Sequence, residues 1–259
     1  MNFSANWRSI FSEKLTGNFS FGYDHYDYRN DESVEESAAA RLSFAINQWF
    51  GKADFSYKLN DDHTLNFGLM SQFYNINSGT YEPLHENSLV RWDQLQKDKA
   101  LESAIYIGDQ WDITSKLSVN AGIRYSMFNL MGPRTYYTYQ DGMLPSSATL
   151  VDSVSVGGGK VVKTYQGPEF RLSARYAFND DFSVKAGFNT MRQYIHKVSN
   201  TTIMSPTDTW KLSDTNIKPQ NGWQLAAGAY YNTPGQVLEL SAVSCTHLRA
   251  HETDSYLVC

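Results

Sequence analysis

The side chains best suited to metal chemistry gather at the C-terminal end. Cys245, His247, His251 and Cys259 are all zinc-ligand types. Their spacing fits no standard zinc pattern. The other histidines, His25, His63, His85 and His196, are scattered, and no two stand four residues apart as a helical ligand pair. At strand ends, in loops or in a turn, a solvated imidazole is the expectation. Gly157-Gly158-Gly159-Lys160 shares only composition with a phosphate-binding loop, because Val161 stands where Ser or Thr is required and no helix begins there. G-x-S-x-G is absent, and no Ser/His/acid set stands out. The sequence therefore predicts no enzyme, no metal and no cofactor.

A second kind of chemistry is recognition by aromatic faces. Trp92, Tyr137, Tyr139 and Trp210 fall in long polar stretches, near Asp93, Gln140 and Asp208. Tyr81 and Tyr136 belong to the same stretches. Flat rings stack on sugars or peptides at small conformational cost, and polar neighbours fix orientation. Those first four residues are the expected ligand contacts. Packing of the rings within their own loops is the alternative.

The stretches between the loops must position these residues, and they read as strands. From Gly167 to Asn200, Phe170, Leu172, Ala174, Tyr176 and Phe178 alternate with Arg171, Ser173, Arg175 and Ala177. After Asn179-Asp180-Asp181, Phe182, Val184, Ala186 and Phe188 alternate with Ser183, Lys185, Gly187 and Asn189. Strand side chains alternate between two faces, so one face is apolar and the other polar. The pattern repeats at Thr16–Arg29, Arg41–Leu59, Leu65–Phe73, Ala100–Ile113, Leu117–Ser126, Gln220–Tyr231 and Val237–Ala242. Asp109 falls on an apolar face but near a strand end, where a charge costs about 0–1 kcal/mol. Gly68, Gly122, Gly187 and Gly228 share the polar face. They fit either wall curvature or clearance for another backbone. Tyr26, Tyr28, Phe73, Tyr74 and Tyr194 at strand tops read as an interfacial girdle. Leu89, Trp92 and Leu95 recur at helical spacing inside Asn75–Lys99, which predicts a short helix there.

The connections decide which way the apolar face points. Turns near residues 13, 61, 115, 180 and 234 are very short. They alternate with connections near 33, 87, 147 and 209, most of them long. Short turns at one end and long loops at the other mark an outer-membrane barrel, with the long loops outside the cell. Several strands also exceed the roughly 9–11 residues that cross a bilayer at a tilt, whereas sandwich strands are shorter. The expected fold is all-β: part of an antiparallel up-and-down transmembrane β-barrel. A soluble β-barrel or sandwich binding protein is the competing fold.

Composition agrees. Tyr (17) and Phe (14) dominate an aromatic content of 14%. No apolar run is long enough for a membrane-crossing helix. The formal charge of -5 does not suit nucleic acid. Met1 is followed by NFSANWRSIF, without the basic and apolar regions of a secretory signal, which leaves a cytosolic protein or an internal piece of a longer one, and the C-terminal stretch 243–259 favours the piece.

Two resemblances add to this. Residues 243–259, VSCTHLRAHETDSYLVC, resemble a translated transposon-type sequencing adapter. Residues 1–242 are thus expected to be the natural barrel part, and 243–259 a non-native tail with neither strand pairing nor metal. The run Arg192-Gln193-Tyr194-Ile195-His196, then Ser199-Asn200-Thr201, Ser205-Pro206-Thr207-Asp208-Thr209-Trp210-Lys211-Leu212-Ser213-Asp214 and Ile217-Lys218-Pro219-Gln220, carries the second. Ile46–Leu59, His63–Phe73, Gly79-Thr80 and Glu82-Pro83-Leu84 add to it. These stretches resemble the barrel of TonB-dependent outer-membrane receptors of the type with carboxypeptidase-regulatory-like and plug domains. The resemblance implies about ten strands of a 22-stranded barrel around a plug. It implies active uptake of a glycan, peptide or metal chelate, driven by the TonB energy-coupling complex through an N-terminal region. It also allows a surface lipoprotein partner and requires outer-membrane lipid. A plug-less porin or adhesin is the competing function.

Overall fold

The opening hairpin pairs as its alternation predicts, with Leu172 opposite Phe188, Ala174 opposite Ala186, and Tyr176 opposite Val184. The computed structural model describes residues 1–33, 35–140, 142–143, 146–198, 209–233 and 236–248. In chain order the first strands are β1 (Asn2–Ile10), β2 (Leu15–Glu32), β3 (Ala40–Lys58), β4 (His63–Pro83) and β5 (Asp93–Gln94). Next come β6 (Asp98–Asp112), β7 (Leu117–Met131), β8 (Arg134–Tyr139), β9 (Leu150–Val156) and β10 (Val161–Ala177). The last are β11 (Phe182–Gln193), β12 (Ile195–Val198), β13 (Thr209–Leu212), β14 (Gln220–Thr233) and β15 (Gln236–Leu248). The wall is an antiparallel meander in the order β1-β2-β3-β4-β6-β7-β10-β11-β14-β15. β8 pairs with β9 and β12 with β13 as separate hairpins, while β5 adds to β4.

The short turns share one local device. Ser12, Asn60, Thr114 and Asn179 each accept, through a side-chain oxygen, the backbone N–H groups two and three residues on. Asn, Ser and Thr favour turns for this reason. At the second turn Lys58 also bonds Asp61 at 2.8 Å, which holds that carboxyl below its usual range. Pro234 and Gly235 of the fifth turn lie outside the described residues.

The two faces separate as the alternation predicts. Phe67, Leu69, Ile123 and Phe188 are exposed on the outer face. Asn66, Asn120, Arg124 and Asn189 line a groove of about 660 Å³ on the opposite, inner face. A stable exposed apolar sheet requires a non-aqueous neighbour, which lipid supplies. An aromatic belt runs along the short-turn end: Trp7 and Phe11 pack on Phe19, Phe19 on Phe55, and Phe178 on Phe182.

Asp109 is on the outer face, as expected, but it is not bare. His63 Nδ1 lies 2.6 Å from Asp109 Oδ2, and the His63 ring stacks on Trp111 with centroids 5.3 Å apart. His25 bonds Asn47 and His196 bonds Ser213, each at 2.8 Å, so solvated imidazoles are not the rule here.

Three expectations are corrected. Residues 89–95 form no helix; Asp93–Gln94 pairs with Thr80 and Tyr81 instead, because the strand top offers unpaired backbone groups. The only helix among the described residues is the 3-10 turn Glu36–Ala38. Tyr74 and Tyr194 are buried on the inner face, so they are not girdle residues. Lastly, pairing does not stop at Ala242: β15 stays in register with β14 as far as Leu248 opposite Asn221. Backbone ladders do not depend on side-chain type. The side chains do change character: Leu238, Leu240 and Ala242 share the outer face, and Ser244 and Thr246 follow them there.

Candidate functional site

The inner face near the long-connection end carries a closed network of side chains. Alternation on β4, β6 and β7 turns Tyr74, Glu102 and Arg124 inward, and β10 adds Glu169. Arg124 Nη2 reaches Glu102 Oε1 at 3.3 Å, and its Nε lies 3.5 Å from Glu169 Oε2. Tyr74 donates its hydroxyl to Glu102 Oε2 at 3.0 Å. Both glutamates are buried, and a buried carboxylate needs partners of this kind.

Above the network lies an apolar cluster of Tyr74, Ile76, Ala100, Phe128, Leu130, Tyr194 and Leu212. Tyr194 stacks on Phe128 with centroids 4.7 Å apart and planes 7° apart. Its hydroxyl lies 2.9 Å from Ser126 Oγ. The long connection after β11 is therefore folded down against the inner wall. β12 and β13 form its plate, and Trp210 and Ile195 pack on the cluster.

A buried ion network holds that plate. Arg134, at the start of β8, donates Nη1 to Asp98 Oδ1 and Nη2 to Asp214 Oδ2, the latter at 2.7 Å. Asp98 Oδ2 accepts the Leu212 N–H at 3.1 Å. Asp214 Oδ1 accepts the N–H groups of Asn216 and Ile217, each at 2.8 Å. Tyr165 donates to the Asp214 carbonyl at 2.7 Å. One arginine thus ties the wall to two separate long connections.

The expected contact residues all lie at this end, but they do not converge. Trp92 is 61% exposed beside β5, and Tyr137 is 41% exposed on β8 opposite Ser153. Tyr139 closes β8 opposite Leu150, and its side chain lies outside the described residues. Trp210 is half-buried in the inner cluster. Asp208, His251 and Cys259 lie outside the described residues. Among those described, no group of three His, Cys, Asp or Glu residues is placed to hold a metal ion. Asp98, Arg134, Glu169 and Asp214 are not among the residues predicted to matter. Neither spacing nor alternation brings Arg134 to Asp214; only the inward fold of β12–β13 does.

A meander with short turns at one end, structured connections at the other, an apolar outer face and a polar inner face defines an outer-membrane barrel wall. Solved structures share it. The copper transporter OprC superposes with a TM-score of 0.65 at 13% identity, over 95% of this chain and 38% of that one. The ferric yersiniabactin uptake receptor FyuA from Yersinia pestis gives 0.59 at 14%, over 95% and 35%. P. aeruginosa FpvA bound to heterologous pyoverdines gives 0.61 at 14%, over 95% and 32%. The first is named as a transporter and the second as an uptake receptor, and the chain spans about a third of the length of all three. No curated protein matches the sequence. Residues 67–243 match the family described as TonB dependent receptor-like, beta-barrel, and the chain belongs to that family. Its members are β-barrels of the outer membrane, which is where this chain resides.

Proposed function

We propose that this chain is part of the barrel of a receptor that actively imports a nutrient across the outer membrane. The nutrient is a glycan, peptide or metal chelate, and the TonB energy-coupling complex drives the import. A surface lipoprotein that presents the nutrient fits the same scheme. The observation that carries this reading is the family match over residues 67–243. The asymmetric ends support it: short turns suit the periplasm, while the β8–β9 and β12–β13 hairpins form a folded mouth. At that mouth Trp92, Tyr137, Tyr139 and Trp210 act as the ligand contacts, through the stacking and hydrogen-bonding chemistry of amphipathic rings.

The experiment is uptake by cells carrying the full-length receptor, with and without a working TonB complex. Labelled members of each nutrient class are supplied in turn. Accumulation of one class only when TonB is intact is the expected outcome. Equal accumulation without TonB would overturn the reading and favour a passive pore.

A further inference from the structure

The connection after β4 folds back on the strand top and walls a cavity there. Asp93–Gln94 of β5 pairs with Thr80 and Tyr81. The Gln94 amide donates to Thr80 Oγ1 at 3.0 Å, and the Leu95 N–H to the Gly79 carbonyl at 2.9 Å. The register then sets one row across four strands: Asn30 opposite Leu42, Leu42 opposite Tyr81, and Tyr81 opposite Asp93. Opposed residues share a face. Ile46 lies on the same face of β3 as Leu42 and packs on the inner cluster, so the row faces inward. With Glu32 and Leu95 it lines a cavity of about 310 Å³ at the mouth.

A bulge puts Tyr81 in this row. Phe67 and Leu69 of β4 are exposed on the outer face, and unbroken alternation would send Tyr81 the same way. Ser43 pairs with Thr80 but Ala45 with Asn77, so β4 carries one extra residue here. That residue turns the Tyr81 ring from the lipid side to the inner side. Bulges are frequent beside functional sites because they re-aim a side chain in this manner.

The two carboxylates of the cavity are uncompensated. Glu32 and Asp93 make no ion pair among the described residues. Arg41, next to Leu42, points to the other face, where Asp31 holds it at 2.7 Å and Glu82 lies 3.8 Å away. The cavity therefore presents two carboxylates without a cation, a Tyr81 ring that is 42% exposed, and apolar surface from Leu42 and Leu95.

We propose that this cavity binds Lys or Arg side chains of a basic peptide, which is the nutrient. The inference rests on the proposed function for a ligand arriving from outside, and it selects peptide among the three nutrient classes. Glu32 and Asp93 stand on strands three spacings apart, roughly 14 Å. One metal ion cannot bridge that span, whereas cationic side chains spaced along a peptide can. An anionic chelate would meet two like charges. A neutral glycan can hydrogen-bond to carboxylates, but a cation makes the stronger, charge-assisted bonds. Lys and Arg stems lie along apolar surface such as that of Leu42 and Leu95, with the charged head beyond it. A cation also gains attraction over the face of Tyr81.

The test is binding to purified full-length receptor in detergent, read by fluorescence anisotropy of a dye-labelled peptide that alternates Lys and Ala. The same peptide with every lysine acetylated and a labelled neutral maltooligosaccharide run beside it. Glu32→Gln, Asp93→Asn and Tyr81→Ala probe the cavity, and Glu35→Gln removes an exposed carboxylate outside it. Heat-resistant gel mobility reports folding of each variant, and the acetylated peptide needs no variant at all. Acetylation and each cavity variant are expected to weaken binding roughly tenfold or more, as loss of a charge-assisted contact does, while Glu35→Gln leaves it unchanged. Equal binding of the acetylated peptide, equal weakening by Glu35→Gln, or full binding by all three cavity variants would overturn the proposal. Binding of the oligosaccharide alone, lowered only by Tyr81→Ala, would overturn it too and assign the cavity to a glycan. Binding in detergent does not involve TonB. Peptide binding with no TonB-dependent uptake would overturn the proposed function alone, so the two failures are distinguishable.

Discussion

Arg134 Nη2 bonds Asp214 Oδ2 at 2.7 Å across 80 positions of sequence, and both side chains are almost wholly buried. The same guanidinium bonds Asp98, so two buried carboxylates share one arginine. Breaking such a network by removing one partner is strongly destabilising, because a charge stays buried without compensation. Lys211 lies 3.3 Å from Asp214 and still serves it, whereas Asp98 loses its nearest cation. Arg134→Ala in the full-length receptor is expected to loosen the plate by about 3 kcal/mol, or roughly a hundredfold in amide exchange. Hydrogen exchange over residues 209–217 checks this. Arg134→Ala combined with Asp98→Ala recovers part of the protection, since the stranded charge is gone. Unchanged exchange in the single variant would show that the plate is held by the Trp210 and Leu212 contacts alone.

Facing gives a second expectation. Ile123 lies mid-strand on the outer face, opposite Ile107 and Phe170. Val119 is also outward but pairs with Trp111 in the aromatic belt. An arginine at the middle of the lipid face costs about 2–4 kcal/mol, and near the interface only about 0–1 kcal/mol. Ile123→Arg is therefore expected to impair assembly most and Val119→Arg much less. Asn120→Arg, on the inner face, is expected to be tolerated. Heat-resistant mobility of the folded barrel on gels ranks the three. Equal tolerance would remove the lipid from the outer face.

The same contrast shows what the sequence makes legible. Phe170 to Phe178 reveals its two faces by alternation alone, and Asn179 or Ser12 reveals a turn by its own side-chain chemistry. Both are local properties. The wall order follows, because short turns force adjacent strands to pair. The plate is different. Tyr194 resembles a girdle residue in sequence because it sits at a strand top. In the structure the chain bends after Gln193, and the ring stacks on Phe128. That contact depends on a neighbour far away in sequence, as does Arg134 with Asp214. Trp210 was legible as an aromatic in a long connection, but its burial was not.

The end of the chain yields a third expectation. Pairing to Leu248 shows that residues 243–248 can extend the sheet. Their pattern argues that they were not shaped for it. Ser244 opposite Leu225 and Thr246 opposite Trp223 put hydroxyls on the face that lipid covers, while Val243 turns to the inner side opposite Ala226. We propose that the natural strand departs from this sequence after Ala242 and continues with apolar residues outward. Long-read sequencing of the locus tests this: genomic DNA should not encode VSCTHLRAHET. Finding that run in the genome would discard the adapter interpretation.

The last expectation concerns which end meets the medium. The connections 84–97, 132–160 and 194–219 leave the wall at the end opposite the turns at 59–62, 113–116 and 178–181. If the long end faces outward, a thiol-specific maleimide that cannot cross the membrane should label Trp92→Cys and Tyr137→Cys on whole cells. It should not label Asp61→Cys or Ser115→Cys, which would face the periplasm. Trp210→Cys is expected to label weakly, because Trp210 is half-buried against the inner cluster. This grading separates two roles within the ligand assignment. Under the proposed assignment the exposed Trp92 and Tyr137 would make first capture, and Trp210, packed against the inner cluster, would reach a ligand only as part of the plate. Trp92→Ala and Tyr137→Ala should thus weaken nutrient binding by whole cells without changing the amount of folded barrel. Trp210→Ala should lower both, since it opens the cluster beneath it. Labelling at 61 and 115 but not at 92 or 137 would invert the topology, and the ligand assignment would fall with it.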